Sequence, residues 1–579
     1  MMKHSVCILI FILLLSLLTP AFIYPQNIPQ QAGSAVEKTE QDIQRERELR
    51  EKITRPREEE EKIGTITEEG GVPLEPEKKV QINRIEVRGV TLLPEKTISG
   101  IISQFEGKEL SLREMQMAAD LVTDEYRKNG YVTSRAYLPP QTIKDGLLTI
   151  MVIEGKVGSL ETRGNRFFRT ALLEKKIHLR PSDKFDYKSL QRSLRIINEH
   201  PDRKVKAVLV PGKEPGTTDI ILEVTDRLPL HAGVEFDNYG SRYIDRWRFA
   251  AIGEHNNLLG CDDKLYFKYQ KAQSSNFNLI NGRYTIPVIP DWTELGVYYL
   301  WSKVRLLKDF KDLRVRGRST LTGLFLTQTI LNEYEMDLKL NFGFDYKKIN
   351  NYMLGNEVSR DYARVVKGGF DLDMYDPWGR SILVFETDVG IPNILDGADK
   401  EGHFASRTGA RGDFTKFVAN FYRLQPLPFA STILWKNQLQ VANRTLFSSE
   451  QFQVGGITNV RAYSPAEISG DCGYASTVEW LFPILKLLPK AVHDIKVPLS
   501  KSTFYQATRF VAFYDLGAIY NNKKLPGERK SKFLNGYGFG FRFDLPENFS
   551  TRIEFATPLG SDPSDGKEFH TYFGITAKY

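Results

Sequence analysis

The most regular pattern in the chain is an alternation of apolar and polar residues that begins near residue 229. Between Tyr334 and Tyr346 every second residue is apolar or aromatic, and the residues between them are acidic, basic, Asn or Gly. A period of two indicates a β-strand with one apolar and one polar face. The runs Leu265–Tyr269 and Tyr537–Phe543 repeat the pattern. The segment that starts at Tyr334 is also longer than the roughly five or six residues usual in a soluble sheet.

Strands of this kind can face lipid or pack in a soluble sandwich. A sandwich buries its apolar faces against each other, whereas here the second face is charged or glycine-rich and aromatic residues flank the apolar face. That arrangement is typical of a barrel with lipid outside and water inside. Residues 229–579 provide about 22 residues for each of about sixteen strands with its connection. We therefore predict a mainly β chain in which residues 228–579 form a 16-stranded antiparallel transmembrane β-barrel.

The final segment fits such a barrel. Apolar or small residues alternate with other residues from Thr571 up to an aromatic last residue, Tyr579. A closed barrel needs its last strand to pair with its first, so a strand at the end of the chain is expected. We predict that Phe573, Ile575 and Tyr579 form the terminal-strand signal of the barrel.

Residues 79–227 carry a different pattern, which occurs twice. In the first copy a helix is capped by Ser111 with Glu114 three residues later, a capping box. In the second copy Asp186 can cap a helix that Pro201 stops. The strand-like runs around these helices are Ile82–Gly89, Tyr131–Tyr137, Leu147–Ile153, Leu160–Gly164, Lys204–Val210 and Thr218–Val224. The pattern predicts two small α/β modules, at 79–155 and 156–227.

The N-terminal region has two parts. Residues 1–25 contain Lys3 and an apolar run from Val6 to Leu18, which is typical of a secretory signal peptide. Residues 26–78 are strongly charged, with only a thin apolar stripe formed by Ile43, Leu49 and Ile53. Two interpretations stay open for this second part: a solvated linker, or a plug helix that docks in a polar place such as a barrel lumen.

Composition narrows the function classes. The net charge of +7 is modest for 579 residues and does not favour nucleic acid, which an exported protein would rarely meet. Outside the signal region only Cys261 and Cys472 remain, and the eight histidines are scattered, so we expect neither a disulfide framework nor a metal site. No phosphate-binding loop or nucleophile motif stands out. We therefore expect no catalytic residue and no cofactor.

Several motifs resemble one family. The run from Tyr126 to Gln141, with Val152–Gly155 after it, resembles the first POTRA domain of two-partner secretion transporters. These are the haemolysin secretion/activation proteins of the ShlB, FhaC and HecB type, found in Gram-negative outer membranes. Gly216–Asp219 resembles their second POTRA domain, and Asp237–Arg242 resembles their first barrel strand. The POTRA motif residues that the resemblance implies are Gly130, Tyr131, Pro139, Pro140, Gln141, Glu154 and Gly155.

Two further motifs resemble the family's gating elements. Gly455-Gly456 followed by Val460-Arg461-Ala462-Tyr463 resembles its sixth extracellular loop, which implies a loop at about 454–472 folded back into the lumen. Phe513-Tyr514-Asp515 resembles the wall motif whose Asp meets the loop Arg. Phe513 and Asp515 are two residues apart and so share a strand face, which we expect to be the lumen face because an unpaired Asp in lipid is costly. The implied lock comprises Arg461, Asp515, Tyr463 and Phe513. Ala462 departs from the family pattern, which has Gly there, a residue used for positive φ or close backbone approach.

The resemblance implies transport of one large secreted partner protein, of adhesin or haemolysin type, that carries an N-terminal secretion domain. The POTRA domains would lie in the periplasm and the barrel in the outer membrane, in contact with its lipid and lipopolysaccharide. Insertion would require the cell's barrel-assembly machinery. The alternatives are a barrel-assembly factor of the same superfamily, whose members usually have more POTRA domains, and a diffusion porin, which lacks them.

Overall fold

The computed structural model describes residues 32–54 and 79–579, apart from 242, 334, 400–403, 490–492, 499, 501, 527 and 546–548. The side chains of 32–37 and 309 are also outside this description. The predicted signal peptide at 1–25 lies outside the described residues, as does Tyr334 of the strand pattern. Within the described residues, no helix is both long and apolar enough to cross a membrane.

A helix of 23 residues, α1 (Ala32–Thr54), precedes the first module. The first module then contains β1 (Val80–Ile82), β2 (Arg84–Arg88), α2 (Glu95–Ile102), β3 (Lys108–Leu110), α3 (Leu112–Lys128), β4 (Arg135–Tyr137) and β5 (Leu147–Ile153). Its main sheet has the order β2-β5-β4, with β2 parallel and β4 antiparallel to β5. The apolar face of α3 packs against this sheet through Val122 and Tyr126, both fully buried. The capping box of Ser111 and Glu114 forms as predicted.

The second module repeats this plan. Its elements are β6 (Lys156–Arg163), α4 (Thr170–Lys175), α5 (Tyr187–Asn198), β7 (Arg203–Pro211) and β8 (Thr217–Asp226). The sheet order is β6-β8-β7, with β6 parallel and β7 antiparallel to β8. Asp186 caps α5 by accepting a hydrogen bond from the Lys188 amide at 3.0 Å. Leu190 and Ile197 of α5 are fully buried in the module's core.

The strand expected over Tyr131–Tyr137 is wrong in its first half. Only Arg135–Tyr137 is a strand, and the preceding residues form a turn. The Tyr131 amide donates to the Tyr126 carbonyl, and the Ser134 amide donates to the Tyr131 carbonyl. The turn arises because the helix ends at Lys128 and Gly130, just beyond its C-cap, has a φ of +95° that redirects the chain.

The rest of the described chain consists mainly of β-strands, most of them eight residues or longer. They are β9 (Leu230–Asp237), β10 (Arg248–His255), β11 (Lys264–Ala272), β12 (Phe277–Ile289), β13 (Thr293–Arg305), β14 (Arg316–Asn332), β15 (Met336–Met353), β16 (Asn356–Asp361), β17 (Arg364–Asp376), β18 (Gly379–Gly390), β19 (Thr415–Leu427), β20 (Ser431–Ala442), β21 (Phe452–Val454), β22 (Ile468–Gly470), β23 (Cys472–Phe482), β24 (Thr508–Tyr520), β25 (Ser531–Leu545), β26 (Phe549–Pro558) and β27 (His570–Lys578). A short helix, α6 (Phe504–Ala507), precedes β24.

These strands close into an antiparallel barrel. The short β16 pairs only with the outer end of β15, while β17 pairs with the rest of β15. β21 and β22 pair only with each other. The described strands therefore give a wall of sixteen, as the sequence predicts. Apolar residues at alternate positions, such as Phe267, Phe342 and Phe539, are about half exposed on the outer surface, and their neighbours face inward.

The barrel closes where β27 meets β9. Five residue pairs join these strands, whereas eight join β26 and β27. Beyond the last of these five pairs, the side-chain amide of Asn238 forms the hydrogen bonds to β27 that a backbone amide and carbonyl would form in a continued strand. It donates to the Thr571 carbonyl at 2.9 Å and accepts from the Phe573 amide at 2.8 Å. Phe573 and Ile575 lie on β27, and the backbone of Tyr579 exchanges two hydrogen bonds with Ala232.

Candidate functional site

The connection between β20 and β23, residues 443–471, lies inside the barrel. Every residue from Thr445 to Ser464 is buried. The hairpin β21–β22 shapes the loop, and Gly455 and Gly456 have φ values of +116° and +90°. A side chain at Gly455 would place its Cβ 2.3 Å from the Ser464 carbonyl oxygen. Both glycines therefore meet a conformational requirement at the turn.

Arg461 reaches from this loop to the wall. Its Nη2 lies 2.7 Å from Asp515 Oδ1 and its Nε lies 2.9 Å from Asp515 Oδ2, a bidentate pair. The Arg461 amide also donates to Asp515. The guanidinium stacks on the Phe513 ring, 3.4 Å from its centre. The structure thus brings together the loop Arg and the two wall residues named from the sequence.

Two further carboxylates complete the Arg461 site. Nη1 of Arg461 lies 2.9 Å from both Glu479 Oε1 and Glu554 Oε2. Arg542 on the adjacent wall strand donates to both of these glutamates. All of these groups are buried, so each charge depends on its neighbours for compensation. Pulling Arg461 away would remove a cation from all three wall carboxylates, whereas Arg542 binds two of them and Arg50 binds only Glu479.

Ala462 fits because the wall makes room for its methyl group. Its backbone is not left-handed, so glycine is not required for φ. The residue opposite is Gly536 of β25, where an added Cβ would lie 2.4 Å from the Ala462 Cβ. The Ala462 methyl group therefore occupies the space that a side chain at Gly536 would need. Because only one of the two residues has a Cβ, the loop can lie close to the wall.

The contact between Ala462 and Gly536 predicts the effect of adding or removing a methyl group at either position. Gly536→Ala should displace the loop and lower secretion several-fold, whereas Ala462→Gly should secrete normally. The double variant should recover only in part, because the Gly536 Cβ would also lie 2.8 Å from the Thr557 carbonyl oxygen. Assays of secreted protein in the three strains test this, and equal secretion by Gly536→Ala and wild type would contradict it.

The neighbours of Arg461 fasten the loop tip. Val460 is fully buried against Gly517 of β24. The Tyr463 hydroxyl donates to the Ser561 carbonyl at 2.8 Å, and the Tyr463 carbonyl accepts from the Tyr572 hydroxyl at 3.0 Å. These contacts attach the motif to β24, to the loop between β26 and β27, and to β27.

A second ion-pair site attaches the buried loop to the wall, and here the loop supplies the acid and the wall supplies the bases. Glu450, at the start of the buried loop, accepts from Lys347 at 2.7 Å and from Lys416 at 2.6 Å. The two lysines lie on β15 and β19, away from the strands that hold Arg461. The loop is therefore bound to one part of the wall by an anion and to another by a cation.

Helix α1 runs through the same interior. It is about 34 Å long at 1.5 Å per residue, enough to span the apolar band of an outer-membrane barrel. Ile43, Leu49 and Ile53 are all buried, the last two against Ile382, Tyr422 and Leu434 of the wall. Within residues 26–78 the structure describes residues 32–54, and this helix lies inside the barrel.

Ion pairs hold α1 to strands all around the barrel. The contacting pairs are Glu40 with Arg248, Arg47 with Glu235, Glu46 with Lys436, Arg50 with Glu479 and Lys52 with Asp373. Arg50 donates both terminal nitrogens to Glu479, the carboxylate that Arg461 also binds. The helix and the loop therefore share one wall residue, and movement of either changes the charge balance that the other meets.

A buried arginine joins the loops at the outer mouth. Arg407, from the loop between β18 and β19, donates to Asp471 at 2.6 Å and to the Leu446 carbonyl at 3.0 Å, at the two ends of the buried loop. It also binds Glu528 in the loop after β24. One side chain thus connects three outer loops.

In the unit formed by residues 79–229, several of the motif residues named from the sequence lie where the two modules meet. The Gly130 carbonyl accepts from the Tyr187 amide at 3.0 Å, and the Gly155 carbonyl accepts from the Phe185 amide at 2.9 Å. A Cβ at Gly155 would lie 2.1 Å from Thr133 Oγ1. The absence of a side chain at Gly155 thus permits close packing within the first module, and the carbonyls of Gly130 and Gly155 both bind the second module.

The remaining motif residues stabilise the first module. Tyr131 packs on its core, with its ring centre 6.2 Å from that of Tyr126. Gln141 accepts from the Thr149 amide at 2.9 Å and donates to the Thr149 carbonyl at 2.7 Å, which imitates a strand beside β5. Pro139 is partly buried and Pro140 is exposed, in the segment that leads to Gln141.

Glu154 connects more groups than any other of these motif residues. Its carboxylate accepts from the amides of Thr91 and Leu92 and from the Tyr126 hydroxyl at 2.9 Å, and it lies 3.6 Å from Lys184 of the second module. Burial alone would raise the pKa of the Glu154 carboxyl, but the hydrogen bonds from Thr91, Tyr126 and Leu92 outweigh it and lower that pKa. The charged form is thus the stabilising one.

We expect Glu154→Ala to loosen the turn at Thr91 and the junction near Lys184. Loss of these hydrogen bonds should cost about 1–3 kcal/mol, seen as faster hydrogen exchange there in the full chain. In the wild type this protection from hydrogen exchange is fully present at a pH above the ordinary pKa of a glutamate. It is lost as the pH falls through the lowered pKa of Glu154, and the variant should not show this pH dependence. Glu161→Ala, at an exposed carboxylate paired with Arg163, is the control. Equal exchange in both variants would contradict the assignment.

Comparison with known proteins identifies the chain. The family model "Haemolysin secretion/activation protein ShlB/FhaC/HecB" matches residues 216–543, and "POTRA domain, ShlB-type" matches residues 80–155. The chain belongs to the ShlB/FhaC/HecB family of two-partner secretion transporters. Its barrel lies in the outer membrane, and in this family the POTRA domains are periplasmic.

Individual members of the family resemble the chain over most of its length. The heme/hemopexin transporter protein HuxB of Haemophilus influenzae is 25% identical, over 82% of both chains. The hemolysin transporter protein HpmB of Proteus mirabilis is 23% identical, over 69% of this chain and 71% of its own. The solved structure of CdiB from Escherichia coli superposes with a TM-score of 0.70 at 19% identity, over 96% of this chain and all of that one, which shows the shared fold.

Several interior residues of the site belong to none of the sequence motifs. Glu479 and Glu554 stand at inward positions of alternating strands, between outward Val478 and Trp480 and between outward Ile553 and Phe555. That alternation could have identified them. Glu450 and Arg407 lie in loops, where the sequence has no period to show which way a side chain points.

Proposed function

We propose that this transporter moves one large secreted partner protein through the barrel interior, and that α1 and the buried loop close that interior until the partner arrives. The observation that carries the proposal is the way both segments are held. Ion pairs and hydrogen bonds attach them to the wall, and such contacts can be exchanged for water or for a polar client. A permanent plug would be better secured by apolar packing.

The two POTRA domains are proposed to capture the client in the periplasm while it is still extended. Within the described residues of the second domain, β7 pairs only with β8, which leaves its other edge open. β7 is nine residues long and carries exposed Lys204 and Lys206. An open edge can add a client strand through backbone hydrogen bonds.

The proposed client is a large protein of adhesin or haemolysin type with an N-terminal secretion domain. The names of HuxB and HpmB, a heme/hemopexin transporter and a hemolysin transporter, support a secreted protein as cargo. We propose that no nucleotide is hydrolysed, and that folding of the client outside the cell gives the step its direction. The barrel-assembly machinery is the proposed partner for membrane insertion.

Cross-linking tests passage through the interior. A client that carries one introduced cysteine and is fused to a fast-folding domain should stall in the barrel. With an added thiol oxidant, its cysteine should form a disulfide with a cysteine introduced at Asn420, which faces inward and is 4% exposed. Phe421→Cys, on the outward face of the same strand, is the matched control, with Cys261 and Cys472 replaced by Ser. Cross-linking at both positions or at neither would contradict the proposed route.

A further inference from the structure

Basic residues cluster on the outward face of the barrel near its extracellular end. On β13 the outward series Leu295, Val297, Tyr299 and Trp301 is followed by Lys303 and Arg305, both exposed. On the neighbouring β14, Arg316 and Arg318 are exposed on the same face. The loop that joins these two strands is extracellular, because β9 starts on the periplasmic side and successive strands alternate in direction.

The strand register places these cations opposite one another on the same face of the sheet. Lys303 is opposite Arg318, and Arg305 is opposite Arg316. Like charges directly opposite on one face of a sheet destabilise it. None of the four forms an ion pair with any described side chain.

The same row continues on both sides. Lys303 is opposite Asn278, which is opposite Lys271, and Arg318 is opposite Asn350, which is opposite Arg360. The rim patch, as we call it, comprises Lys271, Lys303, Arg305, Arg316, Arg318 and Arg360, with two asparagines between them. The nearby acid Glu357 is bonded to Asn350, and no described ion pair joins it to the patch.

The position of the patch along the membrane normal indicates which part of the outer leaflet it contacts. Tyr and Trp on the outer surface of a barrel mark the membrane interface, and a strand advances about 3.3 Å per residue. Lys303 and Arg305 therefore lie roughly 7 and 13 Å along the strand beyond Trp301. That is the level of the outer-leaflet headgroups.

We propose that the rim patch binds the phosphate groups of lipid A, the membrane anchor of lipopolysaccharide. Arginine binds phosphate through two parallel hydrogen bonds, and a bound dianion would relieve the repulsion between the paired cations. The row spans neighbouring strands about 4.8 Å apart, so that two phosphates of one glycolipid can be held together. The patch would fix this side of the barrel against the outer leaflet.

The test uses the full chain in detergent, titrated with purified bisphosphorylated lipid A while thermal unfolding and binding are followed. Wild type should be stabilised and should bind. Lys303→Glu with Arg318→Glu should weaken binding at least about tenfold, because two cations that attract the anionic lipid are replaced by anions that repel it. Lys303→Gln with Arg318→Gln should lie between, which keeps the test valid if the charge-reversed barrel folds poorly.

The matched control is Lys523→Glu with Lys524→Glu, the same change in charge in the exposed loop after β24, eight strands away from β13 around the wall. It should bind lipid A like the wild type. Equal loss in both charge-reversed variants would overturn the proposal, as would equal binding of dephosphorylated lipid A or of phosphatidylglycerol. If the Lys303 and Arg318 variant binds lipid A normally but secretes less client, the patch contacts a protein and the proposal is wrong.

Discussion

Deletion of residues 32–54 should raise the single-channel conductance of the purified transporter in planar bilayers several-fold. An α-helix with its side chains is about 10–12 Å across, and α1 fills that width through the length of the interior. The wall residues left behind, including Glu235 and Glu479, would then face water. The pore should therefore become wider and remain polar.

A milder variant tests the cause of this change. Arg47→Gln with Arg50→Gln removes the helix's bonds to Glu235 and Glu479 but keeps its length. We expect frequent openings between the wild-type level and that of the deletion. If the deletion leaves conductance unchanged, α1 does not obstruct the pore and the plug interpretation fails.

Asp515→Arg should reduce secretion at least tenfold while the barrel still folds. The change places two arginines face to face in a buried site, and removal of one partner from a buried ion pair costs about 3–5 kcal/mol. The loop should leave its position, because Arg461 also loses the hydrogen bond between its amide and Asp515. The measurement is the amount of secreted client in the medium, together with bilayer conductance.

Asp396→Arg is the matched control, since Asp396 is an outer-loop acid whose side chain is 85% exposed. It should secrete normally. A folded barrel stays folded in detergent until the sample is heated. Electrophoresis of unheated and heated samples therefore shows whether the barrel of each variant is folded. If Asp515→Arg secretes and conducts as the wild type does, the pairing of Arg461 with Asp515 has no role in gating.

How far the sequence predicts this molecule depends on the kind of pattern. Alternation shows which residues face lipid because a strand has a fixed period and the membrane tolerates few charges, so Phe267 and Phe539 were placed correctly. The capping box at Ser111 worked for a similar reason, since its partners are three residues apart. The strand at Tyr131–Tyr137 failed because a local turn after Gly130 competes with an alternating pattern of only seven residues.

The interior is harder to predict because its contacts join residues far apart in the chain. α1 is polar around most of its circumference, which alone describes a solvated helix as well as a plug. Its place depends on wall residues such as Glu235 and Glu479, which lie 188 and 429 positions from their helix partners in the chain. The approach of Arg461 to Asp515 was expected only through family resemblance. Glu450 and its two lysines had no such guide.

Transport of a single client by this protein is tested most directly by a comparison of culture supernatants. The strain that carries the gene, a deletion strain and a complemented strain are grown, and the secreted proteins are quantified together with the assembled outer-membrane barrels. We predict that one large protein disappears from the supernatant on deletion and returns on complementation, while the other barrels stay at their normal level. A general loss of outer-membrane barrels would contradict the claim and indicate an assembly factor instead.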